Sequence, residues 1–236
     1  MIKITPDQEA ALAASQGDAP LTAACPFPEG AASSKRQLAT LAAHDSGALG
    51  EALEQWKVAQ PARTLDELYE RAGDLQTQLA SACTALAQAL GATFANPGVK
   101  ERATAEEKLS RKRYEGVFAL TDVIRGGFTV GSPDQADAIV DALAQSFEVI
   151  DEGWRTYGTG YTDRKVIVRM LDGTLAEIQI WWPEMKAAKF GQGQRLYTER
   201  RSLHEDDPRL DEVRAAEEAL YSAATPRNWS DWFASA

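Results

Sequence analysis

GTGYTDRKVIVRMLDGTLAEIQIWWPEM, residues 158–185, is the stretch whose reading decides the fold. Val166, Val168 and Met170 alternate with Ile167, Arg169 and Leu171, the two-residue period of a strand. Asp172-Gly173 interrupts the run as a hairpin turn pair does. A second run, Thr174 to Trp182, is rich in aliphatic and aromatic residues. The stretch therefore predicts two strands joined by a tight turn. Glu177 stands in the middle of the second strand, with hydrophobic neighbours at Ile178 and Ile180. Burying an unpaired carboxylate is costly. Such an acid needs a bound metal, a basic partner or a strand face that opens onto a cleft.

The surrounding chain sets bounds on function. It has 236 residues and a net charge of −10. That is one large domain, or a small domain with an appendage. No apolar run is long enough to span a bilayer, and the start, MIKITPDQEAALAAS, is too polar for a signal peptide. A cytoplasmic protein without membrane attachment is expected. Cys25 and Cys83 lie far apart and read as free thiols in a reducing compartment. With His44 and His204 as the only histidines, a histidine metal site or a Ser-His-Asp triad has little to work with. The acidic balance argues against general nucleic-acid binding. Within it lie two basic clusters: Lys100, Arg102, Lys108, Arg111, Lys112 and Arg113, then Arg195, Arg200 and Arg201. Clustered cations fit local binding of a polyanion such as a nucleotide, although each one singly also fits a solvated helix face.

Taken in order, Thr5-Pro6 caps a short helix. Residues 17–34 have linker composition, and Lys35 to Gln60 carries a broken helical pattern. Thr64-Leu65-Asp66-Glu67 is a capping box that opens a helix through Leu90, with Leu65, Leu68, Leu75, Leu79, Leu86 and Leu90 as its stripe and Gly91 as its stop. After the turn Asn96-Pro97-Gly98 the composition changes. Ala103 to Tyr114 is a charged helix. Val117 to Val130 is β-branched, with Asp122 and Arg125 inside it. Ser132-Pro133-Asp134 opens another helix, and Phe147 to Ile150 reads as a strand. Beyond the hairpin come a helix from Pro183 to about Arg201, a last helix from about Pro208 to Ala224, and a tail bearing Trp229, Trp232 and Phe233. The pattern is mixed α/β, an α+β fold around one central mixed sheet of about five strands.

The chemistry rests on Asp122 and Glu177. If their strands are neighbours, both carboxylates face one cleft. Two carboxylates ringed by basic residues suit Mg²⁺ and a nucleoside triphosphate, because Mg²⁺ is held by one or two acids and phosphate oxygens. The cations would relieve charge on the phosphates. Gly160-Tyr161 offers a stacking ring for a base. On spacing alone, a structural Asp122–Arg125 pair with an exposed Glu177 explains the residues equally well.

The same residues resemble the synthetase domain of RelA/SpoT-type enzymes, including small alarmone synthetases and their toxin and prophage relatives. Val99-Lys100-Glu101-Arg102 resembles the family's basic entry motif, and Lys108 with Arg111-Lys112 resembles its basic helix. Leu120 to Gly126 (LTDVIRG) resembles the Asp-then-Arg segment, and Gly160-Tyr161 the Gly-Tyr motif. Ala176 to Ile180 resembles the Glu-Ile-Gln-Ile strand, the most specific piece. Met185 and Leu196-Tyr197 close the set. The resemblance covers roughly residues 95–201. It implies a nucleotidyltransferase-like domain over residues 93–236, preceded by a helical N-terminal region over residues 1–92. It also implies a pyrophosphokinase that moves the β,γ-pyrophosphate of ATP to a 3′-hydroxyl of an acceptor nucleotide. By position, Asp122 and Glu177 would be catalytic and hold Mg²⁺. Lys100, Arg102, Lys108, Lys112 and Arg125 would grip ATP, and Tyr161, Lys165 and Gln179 would meet the acceptor.

The sequence departs from the family pattern on the acceptor side. Asp163 and Lys165 stand where Ser and His are usual, Trp181-Trp182 replaces Arg-Thr, and the His before Leu196-Tyr197 is missing. Divergent toxin members share such changes, and their acceptors include guanine nucleotides, adenine nucleotides and the 3′ end of tRNA. An antitoxin or immunity protein is then a further expected partner. A secreted effector of this kind would act in the recipient's cytoplasm. The alternative reading is a catalytically silent nucleotide-binding or regulatory module of the same fold.

Overall fold

The predicted hairpin is present as β4 (Thr162–Arg169) and β5 (Leu175–Trp181), paired antiparallel with Ile167 opposite Glu177 and Lys165 opposite Gln179. The turn closes where Gly173 takes φ 88°, a conformation open to glycine at little cost. The Asp172 carboxylate accepts from the Thr174 N–H at 2.9 Å. A computed structural model describes residues 59–226. The helical readings before residue 59, and the tail with Trp229, Trp232 and Phe233, lie outside the described residues.

Six α-helices and strands precede β4 among the described residues, four of them before residue 130. They are α1 (Leu65–Leu90), β1 (Thr93–Ala95), α2 (Arg102–Lys112) and β2 (Ile124–Thr129). Then come α3 (Pro133–Ser146) and β3 (Glu148–Thr156). After β5 follow α4 (Pro183–Ala188), a π-helical turn (Lys189–Gly193), α5 (Gln194–Ser202) and α6 (Arg209–Ala223). The strands lie in the order β1-β2-β5-β4-β3. β2 runs parallel to β5 and every other neighbour is antiparallel, so the five-stranded sheet is mixed, as the sequence predicts. β1 was not foreseen, because three residues after a helix stop carry no periodicity. β3 runs well past Ile150, through a bulge between Asp151 and Trp154. The long helix expected after Pro183 is broken at the π turn.

Alternation divides the sheet into two chemistries. Ile124, Phe128, Val166, Val168, Ala176, Ile178 and Ile180 are fully buried and form the core with α1 and α3. The Thr64 side chain caps α1 by accepting from the Glu67 N–H at 3.2 Å. Its buried line is Leu68, Ala72, Leu75, Leu79, Cys83 and Ala87, while Leu65, Leu86 and Leu90 are only partly buried. The stripe is therefore built from small residues as well as leucines, which lets the helix lie close to the sheet. On the other face stand Arg125, Gly127, Asp163, Lys165, Glu177, Gln179 and Trp181. No helix among the described residues is long and apolar enough to cross a membrane.

Two buried glutamines complete the backbone pairing. Gln60 donates to the Leu120 carbonyl at 2.6 Å and the Leu175 carbonyl at 2.8 Å, and its Oε1 accepts from the Leu175 N–H at 2.9 Å. Gln76 of α1 donates to the Arg125 carbonyl at 2.8 Å and accepts from the Arg125 N–H at 3.0 Å. β1 pairs only as far as Gly127, so Gln76 serves Arg125 where that strand has ended.

Gly127 lies under the Trp181 ring, and a Cβ there would collide with the ring edge. The indole is fixed by its Nε1–H, which donates to the Tyr161 hydroxyl at 2.6 Å. Gly127→Ala should therefore lower stability by about 1–3 kcal/mol, the cost of overpacking a filled site. A thermal melt with an unchanged midpoint would show that the ring yields freely.

Candidate active site

The polar face of the sheet floors a cleft of about 820 Å³. Asp122, Arg125, Glu177 and Gln179 line it from the sheet, Tyr157 and Tyr161 from the β3–β4 connection, and Lys186, Lys189, Arg200 and Tyr221 from the C-terminal helices. β2 and β5 place Arg125 directly beside Glu177 and Gly127 beside Gln179. Asp122 sits two residues before β2, at the entrance to the same cleft.

Asp122 is clamped by two lysines. Its Oδ2 accepts from Lys100 Nζ at 2.6 Å and lies 3.0 Å from Lys108 Nζ. Burial alone would raise the pKa of this carboxyl, but the Lys108 and Lys100 ammoniums outweigh it and hold the group below its ordinary value. Its Oδ1 is buried and has no hydrogen-bond partner among the described residues. Glu177 pairs with Lys165 at 3.6 Å. Glu177 foremost, with Glu152 behind it, keeps Lys165 protonated and raises its pKa above the usual lysine value.

The hydroxyl of Tyr161 is the centre of a second network. It donates to Asp163 Oδ2 at 2.8 Å and accepts from Trp181 Nε1 at 2.6 Å and Lys189 Nζ at 2.8 Å. Burial, then the Asp163 carboxylate, push its pKa well above the tyrosine norm. Its ring stacks on Tyr157 with centroids 5.5 Å apart, and Tyr221 tilts against it at 5.4 Å. Lys189 also donates to Gln179 Oε1 at 2.7 Å and stands 4.6 Å from the Trp181 ring centroid.

The structure thus brings Asp122, Arg125, Glu177, Gln179 and Tyr161 to one cleft, with Lys100, Lys108 and Lys165 bonded to its acids. Arg102 points elsewhere: it is exposed, pairs with Asp66 at 2.5 Å and Glu106 at 3.0 Å, and lies 5.9 Å from the Tyr69 ring. Lys112 is exposed at the end of α2 and is not among the residues lining the cleft. Lys186, Lys189, Tyr157, Glu217 and Tyr221 were missed by sequence reasoning. Only Glu217, a buried acid, leaves a trace in retrospect: it sits on the apolar side of α6 and pairs with Arg200 at 2.6 Å.

Two acids facing a cleft fit a magnesium ion. Among the described residues no group of three or more His, Cys, Asp or Glu side chains could hold a metal. A protein cage is therefore lacking among the described residues, but Mg²⁺ ordinarily takes one or two carboxylates and fills its shell with phosphates and water. The unpartnered Oδ1 of Asp122 is suited to that use.

No family model and no curated protein matches the sequence. Solved structures do. A chain from the complex between the Type VI effector Tas1 and its immunity protein superposes with a TM-score of 0.52 at 20% identity, over 67% of this chain and 95% of that one. Small alarmone synthetase 1 from Bacillus subtilis gives a TM-score of 0.49 at 18% identity, over 70% and 93%. A GTP pyrophosphokinase family protein from Streptococcus pneumoniae gives 0.47 at 18%, over 68% and 91%. Of these three the first alone exceeds a TM-score of 0.5, and at its identity it shows a shared fold. The shared fold is that of the chain from the Tas1 complex.

Lys189 makes a measurable prediction. Burial depresses its pKa to about 8, against the opposing pull of Asp163 and Glu177. Unfolding restores an ordinary lysine, so above that pH the unfolded chain binds the extra proton. Stability should then rise with pH between about 8 and 10, by up to about 1.4 kcal/mol per pH unit. Denaturant unfolding of wild type and Lys189→Met across that range isolates the slope; parallel curves would contradict the assignment.

Proposed function

We propose that the chain is an ATP-dependent pyrophosphokinase that transfers the β,γ-pyrophosphate of ATP to a 3′-hydroxyl of an acceptor nucleotide. The observation that carries this reading is the meeting of Asp122, Arg125 and Glu177 in one cleft, with Arg125 and Glu177 paired in the sheet register. The sequence likeness of the Ala176–Ile180 strand supports it.

In this reading the 3′-oxygen attacks the β-phosphorus, and the bond from that phosphorus to the α,β-bridging oxygen breaks, releasing AMP. Glu177 accepts the proton of the attacking hydroxyl. Lys165 pairs with the resting carboxylate and fixes its orientation. Asp122 and Glu177 would hold Mg²⁺, which when bound supplies charge neutralisation to the transferring phosphates. Lys100 and Lys108 are released from Asp122 as phosphates arrive and bind them instead. Arg125 offers a guanidinium whose Nε is buried without a partner among the described residues. Tyr161 backs the acceptor base, with Gln179 beside it. Arg102 and Lys112 would reach ATP only by swinging into the cleft. By likeness of fold to the Tas1 complex, effector-type use with an immunity protein as counterpart belongs to the same proposal.

Incubation with ATP, Mg²⁺ and each nucleoside 5′-diphosphate or triphosphate should release AMP with at least one acceptor. Glu177→Gln should lower that rate by about 10²-fold or more while the circular dichroism spectrum is unchanged. Absence of AMP with every nucleotide and with tRNA would refute the proposal.

A further inference from the structure

The bulge in β3 turns an acid toward Lys165. Asp151 lies opposite Val166 and Trp154 opposite Arg164, so Glu152 and Gly153 together face Lys165. Asp151 and Trp154 both stand on the core side of the sheet. Asp151 accepts from Arg164 at 2.6 Å, and Trp154 packs on Trp182 with ring centroids 5.8 Å apart. Alternation along the strand then sends Glu152 to the cleft side. The charges it feels there are those of Lys165, Arg155, Glu177 and Asp163. Gly153 takes φ 72° with open space where a Cβ would stand, so the bulge calls for glycine by its backbone conformation and not by crowding. Glu152 itself is buried.

A row of alternating charge therefore crosses the sheet: Glu152 on β3, Lys165 on β4, Glu177 on β5 and Arg125 on β2. Within it the Lys165–Glu177 pair is loose. Its 3.6 Å lies beyond hydrogen-bond distance, whereas Lys100 reaches Asp122 at 2.6 Å. A second carboxylate stands on the far side of the ammonium. Burial raises the pKa of Glu152, and the Lys165 charge leads those that oppose it, ahead of Arg155. Arg155 pairs with Glu152 Oε2 at 3.2 Å, yet that oxygen is buried and accepts no hydrogen bond among the described residues. An ammonium between two carboxylates in partly desolvated surroundings is drawn both ways, because Coulomb attraction is weakly screened there.

We propose that Glu152 is a positioning residue whose carboxylate holds the Lys165 ammonium back from Glu177, leaving the Glu177 oxygens open toward the cleft. What Glu177 does with an open oxygen, namely take the proton of the attacking hydroxyl, rests on the pyrophosphokinase reading. The arrangement of the three side chains does not. Without the Glu152 charge, Lys165 has a single carboxylate in front of it and closes on Glu177 to hydrogen-bond distance. It then occupies an oxygen that the hydroxyl must reach.

Crystal structures of the wild type and Glu152→Gln test the arrangement directly. The substitution keeps the shape and removes the charge. Lys165 Nζ should move to within about 3 Å of a Glu177 oxygen, the distance of a charge-assisted hydrogen bond. An unchanged separation would overturn the proposal. In the AMP-release assay, Glu152→Gln should lower kcat by about tenfold or more with the KM for ATP within about twofold of wild type, as expected for a misplaced reacting group. Glu152→Asp keeps the charge and should retain most of the rate. Arg155→Gln removes the other cation from Glu152 and should not lower kcat. If Arg155→Gln reproduced the loss, Glu152 would serve Arg155 and the proposal would fall, a result that stands even if Glu152→Gln does not fold. A wild type that releases no AMP would remove only the pyrophosphokinase reading, and the Lys165–Glu177 separation in the two crystal structures would still decide the role of Glu152.

Discussion

The register of β2 on β5 is the constraint on which the site depends. Parallel pairing sets Arg125 beside Glu177 and, because side chains alternate, sends both to the face opposite Ile124, Ile178 and Ile180. A slip of one residue would bury Glu177 beneath α1 and turn the isoleucines out to water. Both consequences cost stability, so the hydrophobic core enforces the polar geometry above it. Gln76 strengthens the same register by binding both backbone groups of Arg125. One helix side chain thereby links the capped α1 to the placement of a cleft arginine.

Charge is distributed over this frame with some economy. The acids facing the cleft are each matched by lysine: Asp122 by Lys100 and Lys108, Glu177 by Lys165. Two lysines near the cleft feel opposite influences. Lys165 is driven toward the charged form by Glu177, whereas burial drives Lys189 toward neutrality. Tyr161 joins the two regions, since its hydroxyl contacts Asp163 on one side and Lys189 on the other. Its ring is held between Tyr157 and Tyr221, so the aromatic wall of the cleft is assembled from two separated parts of the chain.

What the sequence revealed followed from local signals. The Thr64 cap, the Gly173 turn, the Pro133 helix start and the alternation from Val166 to Leu171 are each decided by neighbours in the chain, and each was legible. Asp122 and Glu177 were legible because an acid in an apolar strand context demands an explanation. Lys186 and Lys189 were not, because a lysine on a short helix is indistinguishable from a solvated one until the helix is folded over a sheet. Arg102 is the converse case: basic clustering groups it with Lys108, but it lies six residues earlier on α2 and pairs with Asp66. β1 and the far half of β3 escaped for a different reason, since their pairing is set by distant partners rather than by their own periodicity.

The central claim is that this cleft transfers a pyrophosphate group as one unit. Parallel reactions with ATP labelled at the β-phosphorus and at the γ-phosphorus, followed by separation of products, test it most directly. The account predicts that both labels appear together in the 3′-modified acceptor, with unlabelled AMP as the leaving product. Transfer of the γ-label alone, or release of both labels as free pyrophosphate while AMP joins the acceptor, would contradict it.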